Sequence, residues 1–99
     1  EKCVKKILDR IGDNPIYITF DLDCLDPSVA PGVANIESAY RGFNMDEARK
    51  IIQCLKGKNV IGGDVACLMP TKDNPNQITS MVAAAIMFEI ICLICVKPE

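Results

Sequence analysis

The sequence predicts an α/β fold with the element order α-β-α-β-α and two parallel strands. Two short runs rich in β-branched residues, Tyr17-Ile18-Thr19-Phe20 and Val60-Ile61, are bounded by turn residues, as buried strands are. Three stretches of helical period or near-continuous apolarity flank and separate them. The first strand runs straight into Asp21, Asp23 and Asp26, and open α/β sheets bind ligands just outside the carboxyl ends of their strands.

In the first helix Cys3, Val4, Ile7, Leu8 and Ile11 recur with helical spacing, and Lys2, Lys5, Lys6, Asp9 and Arg10 take the other side. Gly12 stops it, and Asp13-Asn14-Pro15 turns the chain into a strand over Ile16–Phe20. On a regular strand Asp21 and Asp23 would share a face. From Cys24 to Phe43 no periodicity is visible, and loops of that length are usually functional. Asn44 caps the next helix, with Glu47 in capping-box position. Its buried stripe is Met45, Ala48, Ile51, Ile52 and Leu55, and Gly57 ends it. The second strand starts at Val60 and is expected to run to about Leu68, where Met69-Pro70 breaks it. A polar loop, 71–76, leads to an almost wholly apolar helix over Ile78–Val96, interrupted by Thr79, Ser80 and Glu89. Its unbroken apolar core is read as short of the roughly 18–20 residues that cross a bilayer, hence as a buried helix rather than a membrane span. A strand–helix–strand crossover ends both strands on one edge, which sets Asp21 and Asp23 beside Cys67 and the Pro70 loop.

Composition narrows the function. The chain has 99 residues, 49% of them hydrophobic, and a net charge of −2. That balance gives nucleic acid no reason to bind. Two strands leave long apolar edges that proteins avoid exposing, and the chain starts at Glu1 without an initiator Met. The expectation is therefore that residues 1–99 are the C-terminal portion of a longer single domain; the rival is a processed or designed small domain. The six cysteines mostly lie in apolar periodic stretches, where free Cys acts as a small hydrophobe. A disulfide framework is not expected, and a reducing, cytoplasmic setting is. Cys92-Leu93-Ile94-Cys95 lies late in an apolar helix, without the helix start that stabilises a redox thiolate.

Two carboxylates on one face repel unless a cation or proton lies between them, and hard divalent ions prefer oxygen ligands. Asp21 and Asp23 are thus either a metal site or a solvated strand end. Asp26 precedes Pro27 and reads as a turn residue accepting nearby amides.

Phe20-Asp-Leu-Asp-Cys-Leu-Asp-Pro27, followed by Ala30-Pro31-Gly32, resembles a metal-binding signature of the ureohydrolases, the arginase and agmatinase family. Val60-Ile-Gly-Gly-Asp-Val65, Pro70, Asp73 and the helix from Ile78 extend the likeness over Tyr17–Val96, slightly nearer the agmatinase side. The resemblance implies a three-layer α-β-α fold with a mostly parallel sheet. It also implies two Mn ions whose bridging hydroxide attacks a guanidinium carbon and releases urea, in a homo-oligomer (trimer or hexamer). Asp21 and Asp23 would be metal ligands, and Asn35, Glu37 and Cys67 would line the substrate end. The remaining ligands and a catalytic His would lie upstream, since this chain has no histidine; alone it should be inactive. Two departures stand out. The loop after Gly32 lacks the family's small hydroxyl residues, and Cys67 replaces a Glu that pairs with the guanidinium. A non-catalytic subunit that stabilises or regulates an active partner is therefore the alternative. A metal-diphosphate site of a glycosyltransferase fits Asp21-Leu22-Asp23 but not the Pro and Gly that follow.

Overall fold

In the computed structural model, residues 2–36 and 41–96 are described. Helix α1 (Lys2–Ile11) buries none of its residues fully, and Gly12 closes it at φ +54, a left-handed conformation that costs glycine little. Strand β1 (Ile16–Asp21) pairs in parallel with β2 (Val60–Ala66), from Ile16 opposite Val60 to Asp21 opposite Ala66. An irregularity after Ile16 leaves Ile61 without a partner position. Ile16, Ile18 and Phe20 face the core, while Tyr17, Thr19 and Asp21 face away.

Helix α2 (Met45–Gln53) begins as its sequence dictates. The Asn44 side chain accepts from the Glu47 amide at 2.8 Å, and Glu47 Oε1 accepts from the Asn44 amide at 3.1 Å. Its last turn loosens before Gly57, which sits at φ +88. Helix α3 (Ile78–Cys95) packs on β2 through a buried stripe of Val82, Ile86, Ile90 and Leu93, each worth about 1.5–3 kcal/mol if fully buried. The close approach needs Gly63: a Cβ there would stand 2.6 Å from Ile90 Cγ2 and 2.8 Å from the Ile18 carbonyl. Glu89 interrupts this apolar helix for a reason. It takes Arg49 Nε at 3.1 Å and Gln53 Nε2 at 3.3 Å, tying α3 to α2.

Several expectations need correction. At 18 residues α3 passes for a membrane span by length and composition only, a test that ignores the interruptions at Thr79, Ser80 and Glu89 on which the sequence reading rests. Here one stripe is packed on β2, and Glu89 is paired. Strand β2 ends at Ala66, not near Leu68, because Cys67 takes φ +73 and leaves the extended region. Leu68 then forms an antiparallel bridge with Val33, and the Met69 amide donates to the Gly32 carbonyl at 2.8 Å. The stretch after β1 is also less irregular than expected: a 3₁₀ turn covers Leu22–Cys24, and Leu25 bridges Phe43. All six cysteines are free, but only Cys24 and Cys92 are half-buried; the other four are exposed. Among the described residues the sheet has two strands, and its outer face leaves Tyr17 and Ile61 each 59% exposed.

Candidate metal centre

The centre starts from one buried side chain. Leu22 is fully buried between the two carboxylates. Directly after Asp21 the chain leaves the extended strand for a 3₁₀ turn over Leu22–Cys24, with Asp21 as its cap: Asp21 Oδ1 accepts from the Asp23 amide at 3.1 Å. Asp21 and Asp23 are therefore gathered by a turn, not by strand alternation as the sequence suggested. Across the sheet, Asp21 pairs with Ala66, which leaves Cys67 at the same edge. Asp21, Asp23 and Cys67 each offer one donor atom, and these atoms all lie within 4.8 Å of one another.

The local field is anionic. Partial burial pushes the Asp21 carboxyl up, but hydrogen bonding from the Asp23 amide, the Cys67 thiol and the Asp23 side chain outweighs it, leaving Asp21 below its ordinary value. The Cys67 thiol is raised by its hydrogen bond to Asp21, then by desolvation and by the charges of Asp21 and Asp23. Cys24 is raised by burial first and by the same two carboxylates second. Two carboxylate oxygens in such a field suit a hard divalent cation. They fit as part of a ligand set; with the thiol they are three donors, fewer than such ions take.

The other carboxylates here have structural work. Asp26 accepts from the Ser28 hydroxyl at 2.7 Å, the Ser28 amide at 3.0 Å and the Gly42 amide at 3.1 Å; these bonds, in that order, lower its pKa to about 2. Gly42 is required, since a Cβ there would meet the Asp26 nitrogen at 2.4 Å. Asp64 braces the strands: it takes Tyr17 Oη at 2.9 Å and Thr19 Oγ1 at 2.7 Å. Asp73 accepts from the amides of Asn74, Thr79 and Ser80 at 2.9–3.1 Å, satisfying donors at the start of α3 that Gln77 does not cap. Buried Thr79 Oγ1 in turn accepts from the Gly32 amide at 2.8 Å, so the Pro31-Gly32 bend is fastened to α3.

Of the expected substrate residues, Cys67 joins the carboxylates. Asn35 is exposed on the loop beyond the Val33–Leu68 bridge, and Glu37 lies outside the described residues. Sequence reasoning missed Arg41, which with Cys24, Gly42, Phe43 and Glu47 lines a cavity of about 390 Å³. Its signal was faint: a lone cation before a glycine in a long loop. A larger cavity, about 570 Å³, lies between α1 and α2 and is lined by none of the carboxylates above.

Comparison with known proteins identifies relatives of the whole chain. The model of the arginase family matches residues 1–93. The agmatinase of Neisseria meningitidis serogroup C is 39% identical over 93 residues, covering 94% of this chain and 29% of that protein. Among solved structures, a hypothetical agmatinase from Burkholderia thailandensis superposes with a TM-score of 0.81 at 36% identity, over 93% of this chain and 28% of that one. The proclavaminate amidino hydrolase of Streptomyces clavuligerus does so with a TM-score of 0.84 at 28% identity, over 93% and 30%. The chain spans less than a third of the length of these relatives.

Proposed function

The chain belongs to the arginase family, and from that membership we propose that it works, as the C-terminal portion of a longer chain, in the metal-dependent hydrolysis of a guanidino compound with release of urea. The observation that carries this reading is the convergence of Asp21 and Asp23 at the carboxyl edge of a parallel sheet. Agmatine-like substrates are favoured by the relatives' names, and manganese by the family resemblance. When bound there, a metal pair supplies Lewis-acid polarisation and a nucleophile at neutral pH. This chain's own residues hold and orient. Asp21 and Asp23 hold the cation, Asp26 and Asp73 fix the two loops around it, and the family resemblance assigns substrate contact to Asn35 and Glu37, with Cys67 at the boundary between the metal and substrate ends. The open sheet edges support completion by further strands that bring the missing ligands and the catalytic histidine. The 99 residues alone are inactive in this reading. Its setting is a cytoplasmic homo-oligomer (trimer or hexamer) without nucleic-acid or membrane partners.

Cys67 favours a second reading. A carboxylate offers a guanidinium a charged, bidentate partner; a thiol offers neither charge nor fork. A non-catalytic subunit that stabilises or regulates an active partner would tolerate that loss. One experiment addresses both. In the full chain, Asp23→Asn removes a charge but keeps the shape, so bound metal and urea release should both fall while the circular dichroism spectrum is retained. Unchanged metal content by elemental analysis would remove Asp23 from the ligand set. A wild type that binds metal but releases no urea from any of a panel of guanidino compounds would favour the non-catalytic subunit.

A further inference from the structure

Cys67 is placed too near the carboxylates to be only a weak substitute for a substrate contact. We propose that Cys67 Sγ is itself a ligand of the metal held by Asp21 and Asp23, so that the centre prefers thiophilic divalent ions such as Zn²⁺ or Co²⁺ over Mn²⁺. This rests on the metal-centre reading above and goes one step past it.

Three features converge. The donor atoms of Asp21, Asp23 and Cys67 lie within 4.8 Å of one another. Ligands of one ion, with bonds of about 2.0–2.3 Å, stand no more than roughly 4.5 Å apart, close to the limit of 4.8 Å within which these three atoms lie. The backbone holds the thiol there. Cys67 leaves β2 at φ +73, and the next residues are locked by the Val33–Leu68 bridge and the Met69–Gly32 hydrogen bond. Chemically, an uncharged thiol is a poor partner for a guanidinium, while a thiolate beside two carboxylates is a mixed donor set suited to softer ions. As the sulfur–metal bond forms, the thiol proton leaves to solvent. Cys24 is the nearest rival by sequence, but it is half-buried and outside the three-donor group.

The test uses the full chain loaded with Co²⁺ alone. A thiolate-to-cobalt charge-transfer band is expected in the wild type and in Cys24→Ser, and is expected to vanish in Cys67→Ser. Competition between Zn²⁺ and Mn²⁺ should move in the same variant. Removing partners that merely support a ligand already costs about 10–100-fold in metal affinity, and the Zn²⁺ preference should fall by at least the lower of these. X-ray absorption on the zinc-loaded wild type needs no variant to fold: a sulfur neighbour at about 2.3 Å is expected. Zinc or cobalt bound without sulfur overturns the role of Cys67 and leaves Asp21 and Asp23 as ligands. No bound Co²⁺, Zn²⁺ or Mn²⁺ in the wild type overturns the metal-centre reading together with it.

Discussion

Asp26 and Asp21 are five residues apart, on two sides of the same turn, and they live differently. Asp26 is saturated: three donors from Ser28 and Gly42 converge on it. Asp73, at the other strand's edge, is saturated by three backbone amides. Asp21 takes a single backbone amide on one oxygen and otherwise faces Asp23 and a thiol. A carboxylate whose acceptors are filled by local amides contributes to the fold, because its charge is already balanced by oriented donors. One set against another carboxylate, with acceptor capacity left, contributes little to the fold and is suited to a cation. Partner counts therefore set Asp21 apart from Asp26 and Asp73, the one as part of a site and the others as its scaffold.

The strongest way to break this division is to remove the anchor that both halves share. Leu22→Ala empties a fully buried position between the two site carboxylates, and buried Leu→Ala changes cost about 2–5 kcal/mol. The denaturation midpoint of the full chain should fall accordingly, and metal content should fall even under conditions where the variant stays folded. Lost stability with undiminished metal would mean that the turn keeps its shape without its buried side chain.

A smaller effect sharpens the scaffold side. Asp26 has its pKa lowered from 3.8 to about 2, so its folded form is the more easily ionised one. Its contribution is fully present above the unfolded value and is lost as pH falls from about 3.8 toward 2. Acid titration of stability should show a decline through that window, and Asp26→Asn should flatten part of it. A profile identical to wild type would mean that the bonds from Ser28 and Gly42 do not discriminate the charged form.

Much of the scaffold was legible because its causes are local. The Asn44–Glu47 capping box and the β-branched run of β1 each follow from neighbouring residue types. What escaped depended on contacts distant in sequence. The left-handed Cys67 is set where residues beyond β2 cross to Val33 and Gly32, a meeting of segments more than thirty residues apart. Thr79, read as an interruption in an apolar helix, is the acceptor for Gly32. At the site, the residue types were readable but the mechanism of assembly was not: alternation suggested one face of a strand, whereas a 3₁₀ turn over Leu22–Cys24, capped by Asp21, brings the two carboxylates together. The exposed cysteines show the same limit, since helical periodicity marks a face as apolar without supplying what packs on it.

The smallest expected change in stability belongs to Asp21→Asn, and its smallness is what gives it force. Asn keeps an oxygen for the Asp23 amide, so the cap of the 3₁₀ turn survives. What disappears is the charge, which the hydrogen bonds from the Asp23 amide and the Cys67 thiol favour and the neighbouring Asp23 carboxylate opposes, so the net loss to the fold is small. Surface substitutions away from special features fall within about ±0.5 kcal/mol, and the denaturation midpoint of the metal-free full chain should move no more than that. Metal binding, measured on the same sample by elemental analysis, should be lost. A large drop in metal-free stability would put Asp21 with Asp26 among the scaffold carboxylates. Retained metal would leave Asp23 and Cys67 to hold the ion without it.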